Sequence, residues 1–317
     1  MSTSIQKKRA LVTGGAGFVG SNLANELQKR NVNVTILDNL SSGLISNLEG
    51  LDVNFCHGDI LDFDLVCKLV EKSDVVFHLA ARGSVPRSIS EPHKTFEVNF
   101  NGSLNILEAA RKNRTHVIFS SSSSVYGSNE TLPKNEFDWV APLSPYAASK
   151  LATEGAISAY MNSYGVPTCI FRFFNIYGRL QRFDHPYAAV IPRWIHQAEN
   201  NKPLTVFGDG EHSRDFTHIS SVVSVLVKSM EEKISSPLPI NLAFGQTTTL
   251  NKVLKIFGTY YPELKINYES KRAGDVAHSS NSPERLVSLF GDIKSLPLNI
   301  GIAETISWYR ELKLGEE

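Results

Sequence analysis

The sequence of 317 residues carries 32 Lys and Arg against 32 Asp and Glu, so its formal net charge at pH 7 is zero, and 42% of its residues are hydrophobic. A chain without net charge argues against a broad electrostatic surface for nucleic acid or an anionic membrane, so chemistry on small molecules is the better expectation. At this length we expect two lobes or one large domain built on a sheet.

Neither the cysteines nor the histidines form a metal-binding pattern. Cys56, Cys67 and Cys169 lack metal-ligand spacing and the nine histidines are scattered, so we predict no metal site. An odd number of cysteines fits a reduced, cytosolic protein. The apolar run within residues 6–12 is too short for a signal peptide, and nowhere do 18 apolar residues run together. We therefore predict a cytoplasmic protein without a membrane segment.

The chain begins with a predicted strand, a glycine-rich turn, a helix and a second strand. The apolar run 9–13 leads into Gly14-Gly-Ala-Gly-Phe-Val-Gly20, an amphipathic helix extends to about Arg30, and the run 32–37 ends at Asp38. This order is the full context of the dinucleotide-binding fingerprint of a Rossmann-like sheet. The sequence therefore predicts a dinucleotide site at the beginning of the chain.

Each part of this fingerprint has an expected function. Gly14 permits a tight turn, Gly17 lets the backbone approach a pyrophosphate at the helix N-terminus, and Gly20 allows close packing of helix and strand. Asp38 is placed to accept hydrogen bonds from both adenosine ribose hydroxyls, and the residues after it offer no arginine for a 2′-phosphate. We therefore predict NAD rather than NADP as the cofactor.

Strands and helices continue to alternate. Three further strands are predicted at 53–57, 73–78 and 116–120, with a long helix from about His93 to Asn113 before the last of them. Such alternation is typical of an α/β doubly wound parallel sheet.

Polar and small residues follow these strands. Asp59 can bond the adenine amino group, and the small residues of Leu79-Ala80-Ala81 let the backbone lie against a ribose. His78 is interpreted as a packed strand residue rather than a ligand. Five serines, Ser120 to Ser124, follow the fifth strand at the edge where doubly wound sheets bind ligands, so we expect a site there rather than a linker.

Tyr146 and Lys150 lie one helical turn apart on a helix predicted to begin at Pro145. Proline suits the first turn of a helix, and the spacing stacks the ammonium on the same face as the phenol. A tyrosine with a pKa of about 10 is a poor base at neutral pH, but a nearby cation favours the phenolate. Lowering the pKa by about 3 units takes roughly 4 kcal/mol, which we expect from the lysine and a positively charged nicotinamide ring together.

The pattern loosens after a sixth predicted strand at 167–172. The segment 175–186 is rich in basic and aromatic residues and is typical of a loop. We predict an NAD-binding Rossmann domain over 1–174, to which 219–243 returns, and a smaller C-terminal α+β substrate-binding lobe over 175–317.

Eight motifs, in order along nearly the whole chain, resemble those of the extended short-chain dehydrogenase/reductases, and specifically the NAD-dependent nucleotide-sugar epimerases and dehydratases. They are T-G-G-A-G-F-V-G at 13–20, L-D-N at 37–39, H-L-A-A at 78–81, S-S-S-V-Y-G at 122–127, S-P-Y-A-A-S-K at 144–150, R-F-F-N at 172–175, G-D-G-x-x-x-R-D-F at 208–216 and R-x-G-D at 272–275. The resemblance implies an enzyme that acts on a UDP-sugar.

The resemblance also implies a role for each matching position. Tyr146 acts as the base, Lys150 lowers its pKa while bonding the nicotinamide ribose, and Ser122 bonds the sugar hydroxyl. Besides Tyr146 and Lys150, the positions expected to contact NAD are Gly14, Gly17, Phe18, Val19, Asp38, Asn39, Ser42, Gly43, Asp59, Ile60, Leu79, Ala80, Ala81, Asn99, Ser120 and Phe173. Besides Ser122 and Tyr146, those expected to contact the UDP-sugar are Gly83, Ser84, Ser123, Asn175, Ala189, Val190, Val206, Phe207, Arg214, Arg272, Asp275 and Ser279. Two arginines suit a diphosphate, which they bind by bidentate hydrogen bonds.

The implied mechanism uses one cofactor in both directions. Tyr146 removes the proton of the sugar 4-OH, C4 gives hydride to NAD, and a transient 4-keto sugar forms beside bound NADH. Rotation of this intermediate about its diphosphate link presents the other face for hydride return, so the net oxidation is zero.

Two positions bear on the reaction class. Family dehydratases carry an acidic pair directly after the Ser122-type residue, because β-elimination of water needs a general acid and base. Here Ser123 and Ser124 hold those positions, which favours an epimerase over a 4,6-dehydratase. A 5,6-dehydratase stays an alternative because the segment Gly83–Ser88 also occurs in such relatives, although those carry cysteine and glutamate at the two serine positions.

The expected substrate follows from the space beside C2 of the sugar. Ser279 falls on the family position where a tyrosine restricts some epimerases to glucose and galactose, and a serine leaves room for an N-acetyl group. Gly83-Ser84 and residues 187–190 also resemble the subgroup that acts on N-acetylhexosamines. We therefore predict a UDP-N-acetylglucosamine 4-epimerase. The alternatives are a UDP-glucose or UDP-uronic acid 4-epimerase, a UDP-sugar dehydratase, and a non-catalytic NAD-binding sensor or scaffold.

Two further expectations concern helices. Ser282 is expected to cap a helix with Pro283 at its first position. Family members pair the helices that correspond to 93–113 and 145–164 in a four-helix interface, so the resemblance implies a homodimer.

Overall fold

The computed structural model describes residues 7–184, 188–270, 278–291 and 293–314. The chain divides into two compact units. The first comprises residues 1–129, 138–173 and 223–240, and the second comprises 130–137, 174–222 and 241–317.

The first unit alternates strands with helices. In chain order its elements are β1 (Arg9–Thr13), α1 (Phe18–Lys29), β2 (Asn33–Asp38), β3 (Asn54–His57), α2 (Phe63–Glu71), β4 (Val75–His78), α3 (Val85–Ser90), α4 (Pro92–Phe96), α5 (Gly102–Asn113), β5 (His116–Ser122), α6 (Pro145–Tyr164) and β6 (Thr168–Phe173). The strands lie in the order β6-β5-β4-β1-β2-β3 and pair in parallel. The strand order reverses at β1, beside β4, which is where a doubly wound sheet binds its ligand.

The central strands are apolar along their length because helices cover both faces of a parallel sheet. Leu11, Val76 and Val117 from three neighbouring strands share one buried cluster with Val66 of α2 and Ile106 of α5. This arrangement confirms the predicted α/β class with a Rossmann-like parallel sheet.

Helix α6 begins and ends with local signals. The Ser144 side chain accepts a hydrogen bond from the Ala147 N–H at 3.2 Å, and Pro145 occupies the first turn. The helix ends at Gly165, which adopts φ +66 in the left-handed region. These caps place Tyr146 and Lys150 in the first two turns of a 20-residue helix.

The predicted helix over 93–113 is confirmed as an unbroken helical stretch, but it contains a π-helical turn that the sequence did not predict. Helix α4 is followed by a π-helical turn over Glu97–Asn101, and α5 begins only at Gly102. The carbonyl of Asn99 within this turn accepts hydrogen bonds from the Ser103 hydroxyl at 2.6 Å and the Thr153 hydroxyl at 3.1 Å. Side chains from the next turn and from α6 therefore stabilise a widened turn that hydrophobic periodicity does not reveal.

The second unit combines short strands with helices. In chain order the remaining elements are β7 (Ile176–Tyr177), α7 (Val190–Glu199), β8 (Leu204–Phe207), β9 (Ser213–Asp215), β10 (Thr217–His218), α8 (Ile219–Glu231), β11 (Ile240–Leu242), β12 (Thr247–Thr249), α9 (Leu250–Tyr260), β13 (Ile266–Glu269), α10 (Glu284–Phe290) and α11 (Leu298–Leu314). Of these, most of α8 and the first residue of β11 belong to the first unit, and β11 is the edge strand next to β6. The core of the second unit contains Trp194, Phe257, Ile302 and Tyr309.

The segment 130–137 lies in the second unit, whereas the sequence places it within the NAD-binding domain. The Lys134 N–H donates to the Ser280 carbonyl, and the Ser282 N–H donates to the Lys134 carbonyl, both at 2.9 Å. The Ser282 side chain does not cap helix α10. Helix α10 begins one residue later than expected, with Pro283 at the N-cap position and no side-chain cap.

Candidate active site

The glycine loop after β1 makes close backbone contacts that exclude side chains. Gly14 adopts φ +69, and a Cβ atom on it would lie 2.7 Å from the Ala80 nitrogen. A Cβ on Gly20 would lie 2.4 Å from the Gly14 carbonyl oxygen, and Gly17 stands at the N-cap of α1. The loop therefore presents bare backbone at a helix N-terminus, which suits a pyrophosphate.

The acidic residue at the end of β2 is tied to this loop. The Asp38 carboxylate accepts hydrogen bonds from the Ala16 N–H at 3.0 Å and the Leu40 N–H at 2.8 Å. Asp59, after β3, accepts from the Asn39 side-chain amide at 2.8 Å. Backbone donors thus hold Asp38 at the mouth of the predicted ribose site, with lone pairs left for further donors.

A cavity of about 260 Å³ lies along the carboxyl ends of β1, β2 and β4. Twelve of the positions predicted to contact NAD line it, namely Gly14, Gly17, Phe18, Val19, Asp38, Asn39, Ser42, Asp59, Ile60, Leu79, Ala80 and Ala81. Gly43 does not line the cavity but packs against Ala16. The packing is so close that a Cβ atom on Gly43 would lie 2.8 Å from the Ala16 carbonyl carbon. The lining fits the adenosine and pyrophosphate of a dinucleotide, so the residues present suit NAD.

Two basic residues of this cavity were missed from the sequence. Arg82 and Lys94 line it, and they pair with Glu91 and Glu97 at 3.0 and 2.9 Å. Neither lies in a quoted motif. The available signal was their position after β4 and at the start of the following helices, where cations can approach a phosphate.

Tyr146 and Ser122 come together in the first unit, where the Ser122 side chain acts on the titration of the phenol. The surroundings of the Tyr146 hydroxyl are buried, which raises its pKa above 10.0, whereas the Ser122 side chain lowers the pKa. The net direction is upward, so the protein's own groups do not make this phenol a base at neutral pH. A further positive charge beside the phenol is needed, as expected from the nicotinamide ring.

Lys150 is fully buried in the same unit. Its ammonium donates to the Ser120 carbonyl at 2.7 Å and lies 4.7 Å from the centroid of the Phe119 ring. Burial lowers its pKa from 10.5 to about 7, although the negative charge of Glu154 opposes this shift. A lysine that titrates near neutral pH can change its charge with the state of its neighbours.

Behind Lys150 lies a buried ionic group that the sequence did not reveal. Glu154 is bonded to the Arg172 guanidinium and to the Ser121 hydroxyl. The guanidinium lies 4.8 Å from the centroid of the Tyr126 ring. This group links the end of β5 and strand β6 to the middle of α6, the helix that carries Tyr146 and Lys150.

Asn99 and His78 serve as buried connectors. The Asn99 amide accepts from the Arg82 N–H at 2.7 Å and donates to the Ser149 hydroxyl at 3.0 Å. His78 lies between the Thr13 and Ser103 hydroxyls, each at 2.8 Å. Burial and the charge of Lys150 lower its pKa to about 3, so His78 is a neutral, packed strand residue, as predicted.

The second unit contains its own cavity of about 230 Å³. Five of the positions predicted to contact the UDP-sugar line it, namely Asn175, Ala189, Val190, Phe207 and Arg214. Arg193 and His212 also line it and were missed. The Arg193 guanidinium lies 5.4 Å from the centroid of the Phe207 ring. Among the residues that the structure describes, no Asp or Glu lines this cavity, so it favours an anion.

The other predicted substrate residues lie elsewhere. Val206 is buried in the core of the second unit, and Ser84 caps α3 by accepting from the Arg87 N–H at 3.3 Å. The Ser279 N–H donates to the Ser213 carbonyl at 3.0 Å, while Gly83 has open space where a Cβ would be. Arg272 and Asp275 lie outside the described residues.

The described part of the chain has neither a metal-binding cluster nor a membrane-spanning helix. No group of three or more His, Cys, Asp or Glu side chains there is arranged to hold a metal ion. No helix in those same ranges is long and apolar enough to cross a membrane.

A parallel sheet with a glycine-lined dinucleotide cavity and a Tyr-Lys pair on the helix after β5 defines a class of nicotinamide-dependent α/β enzymes. Residues 10–243 match the model of the NAD dependent epimerase/dehydratase family. The chain belongs to this family, and NAD is its cofactor.

Relatives in the family differ in reaction and substrate. A UDP-N-acetyl-alpha-D-glucosaminuronate decarboxylase of Bacillus cytotoxicus is 35% identical over 97% of this chain and 99% of its own. The structure of a UDP-N-acetylglucosamine 4-epimerase from Methanobrevibacter ruminantium M1, in complex with UDP-N-acetylmuramic acid, superposes with a TM-score of 0.92 at 34% identity, covering 97% and 100% of the two chains. A UDP-glucuronic acid 4-epimerase from Bacillus cereus, bound to UDP-glucuronic acid and NAD, has a TM-score of 0.87 at 28% identity, covering 96% and 99%. This chain is therefore similar to nucleotide-sugar enzymes of more than one reaction type.

Proposed function

We propose that the protein is a NAD-dependent 4-epimerase that interconverts UDP-N-acetylglucosamine and UDP-N-acetylgalactosamine. The observation that carries the proposal is the turn that follows Ser122, in which the next two residues are also serines. Elimination of water requires a general acid and base beside the sugar, and neither Ser123 nor Ser124 has a carboxyl group to supply them. The similarity to a UDP-N-acetylglucosamine 4-epimerase supports the same reaction.

Each of the three site residues then has a defined role. Tyr146 takes the proton from the sugar 4-OH and returns it, and Ser122 holds that hydroxyl by a hydrogen bond. Lys150 bonds the cofactor ribose and supplies positive charge near the phenol. NAD, when bound, supplies the group that accepts hydride from C4 and returns it.

We further propose that the first unit binds NAD and the second binds the nucleotide of the substrate. Arg193 and Arg214 in the second cavity suit the diphosphate, because guanidinium groups bind phosphate by bidentate hydrogen bonds. The Phe207 ring offers an apolar face to the uracil. Family resemblance further supports a homodimer, which sedimentation would test. We also propose that the protein is cytoplasmic, which cell fractionation would test.

In the deciding experiment, purified protein that contains NAD is incubated with UDP-N-acetylglucosamine. The anomeric proton signals of the sugar are then followed by NMR. We expect signals of UDP-N-acetylgalactosamine to grow until both sugars reach equilibrium, without net formation of NADH. Loss of water would indicate a dehydratase instead. Bound NAD without turnover of any UDP-sugar would indicate a sensor or scaffold.

A UDP-uronic acid is the second candidate substrate, because two of the similar proteins have names that specify uronic acids. The same assay with UDP-glucuronic acid and its N-acetylated form separates the possibilities. Inversion at C4 with the carboxylate retained indicates a uronate epimerase, and release of carbon dioxide indicates a decarboxylase. Faster turnover of a uronate than of UDP-N-acetylglucosamine would overturn the proposed substrate.

Ser279 provides a separate test of the N-acetyl group. We expect Ser279→Tyr to lower turnover of UDP-N-acetylglucosamine at least about tenfold while UDP-glucose turnover is retained, since a methylene-sized clash already discriminates by this amount. Equal effects on both sugars would show that Ser279 does not border the C2 substituent.

A further inference from the structure

We propose that Ser124 is a positioning residue that holds the Ser122 hydroxyl in the orientation in which it donates its proton to Tyr146. The inference rests on the proposed function of Tyr146 as the base. It assigns a task to a serine that the family motif leaves without one.

The contacts of Ser122 carry this inference. Ser122 is the last residue of β5 and the N-cap of a 3₁₀ turn over Ser123–Tyr126. The Ser124 N–H lies 3.2 Å from the Ser122 Oγ, and the Ser124 Oγ lies 2.9 Å from the same atom. Ser122 also acts on the Tyr146 hydroxyl, whose pKa it lowers.

The proton count decides the direction of these bonds. A serine hydroxyl has one proton and two lone pairs. The Ser124 N–H can only donate, so it takes one lone pair of Ser122. A Tyr146 phenolate can only accept, so the single Ser122 proton must go to it. Before the sugar binds, the remaining lone pair of Ser122 accepts the Ser124 hydroxyl proton.

The backbone keeps Ser124 in this place. The Gly127 N–H donates to the Ser124 carbonyl at 3.1 Å and closes the turn. Gly127 adopts φ +51 and is packed so closely that a Cβ on it would lie 1.7 Å from the Ala141 carbonyl oxygen. The position of Ser124 therefore does not depend on its own hydroxyl, and removing the hydroxyl should leave the turn intact.

The chemical consequence follows from hydrogen-bond cooperativity. A hydroxyl that accepts two hydrogen bonds is a stronger donor than one that accepts a single bond. Ser124 therefore strengthens the hydrogen bond that stabilises the phenolate. Without the Ser124 hydroxyl, we expect the phenolate to be less stable and Tyr146 to be a weaker acid.

The test compares Ser124→Ala, Ser124→Thr and Ser128→Ala. Threonine keeps a hydroxyl at the position, and Ser128 is an exposed serine four residues farther along. We expect Ser124→Ala to lower kcat at neutral pH by about 3- to 10-fold, the size of one net hydrogen bond. The acidic limb of the kcat profile should move to higher pH while KM is nearly unchanged. Ser124→Thr should restore most of kcat and most of the wild-type position of the acidic limb. Ser128→Ala should match the wild type in both quantities.

A second readout does not depend on turnover. The ultraviolet absorbance of tyrosinate is titrated in the NAD-bound protein, and the same titration with Tyr146→Phe is subtracted to isolate this residue. We expect the Tyr146 pKa to rise in Ser124→Ala and to return in Ser124→Thr. The Tyr146 pKa can be measured by this titration even if the protein does not epimerise the proposed sugar. Any of three results would overturn the inference. The Tyr146 pKa could be unchanged in Ser124→Ala, it could shift equally in Ser124→Ala and Ser124→Thr, or Ser124→Ala could change KM alone.

Discussion

Glu154 and Arg172 form a bidentate ion pair inside the first unit, with Nε 3.0 Å from one carboxylate oxygen and Nη2 2.7 Å from the other. Their side chains are 6% and 4% exposed. Because the loss of one partner leaves the other charge buried and unpaired, we expect Glu154→Gln to lower the free energy of unfolding by about 3–5 kcal/mol. Urea denaturation measures this loss.

Glu97→Gln is the matched control for this pair, because it breaks an exposed pair with Lys94 whose side chains are 47% and 49% exposed. It should cost less than about 1 kcal/mol. Equal losses of unfolding free energy in Glu154→Gln and Glu97→Gln would show that burial does not increase the cost of breaking the Glu154–Arg172 pair.

Lys150 should give the fold a pH dependence. Its pKa is lowered by burial from 10.5 to about 7, so between these values the unfolded chain binds a proton that the folded chain does not. The free energy of unfolding therefore rises with pH in this window. We expect the wild-type value minus that of Lys150→Met to rise between pH 7 and 10.5 and to be constant below it. Unfolding measured across this range checks the sign, and a flat difference would mean that Lys150 titrates normally.

Asp215 should show the opposite trend. Burial raises its pKa from 3.8 to about 6, against hydrogen bonds from backbone N–H groups that include Gly245 at 2.8 Å. The folded chain therefore holds a proton that the unfolded chain releases. Its stabilising contribution is fully present below pH 3.8 and is lost as pH rises through about 6. We expect the unfolding free energy of the wild type minus that of Asp215→Asn to fall over this window. A rise would contradict the direction of the shift.

Two glycines of the first unit should respond to alanine in opposite ways. Gly127 has φ +51, and an added Cβ would lie 1.7 Å from the Ala141 carbonyl oxygen. We expect Gly127→Ala to cost at least about 2 kcal/mol. Gly155 lies within α6 with nothing within 4 Å of a Cβ, so Gly155→Ala should add about 0.5–1 kcal/mol. Thermal unfolding of both variants tests the contrast, which would fail if both lost stability alike.

Asp38 should set the preference for NAD over NADP. Its carboxylate lines the cofactor cavity and opposes a 2′-phosphate by like charge. We expect Asp38→Asn to shrink the ratio of NADP to NAD dissociation constants roughly tenfold, as calorimetry would show. Asp64→Asn makes the same change in charge at an exposed position on α2 and should leave the ratio unchanged. Equal affinity for both cofactors in the wild type would contradict the prediction.

The parts that were predictable depend on neighbouring residues. Gly14 could be identified because its tight turn needs a bare backbone, and Pro145 because a helix start tolerates a missing N–H. The unit to which 130–137 belongs and the π-helical geometry of 97–101 could not be predicted. The first range pairs with Ser280 and Ser282, and the second is held open by Thr153 from another helix. Contacts so far apart in the chain leave no periodic pattern.

The amino-acid sequence by itself determined the order of strands and helices, the NAD-binding turn and the Tyr146–Lys150 pair, because each follows from residue types a few positions apart. Only the tertiary structure decided the environments of these groups. It buried Lys150 beside the Glu154–Arg172 pair, brought Ser122 to Tyr146, and lined the second cavity with Arg193 and His212. Burial and electrostatic interaction depend on distances in space, and folding alone sets those distances.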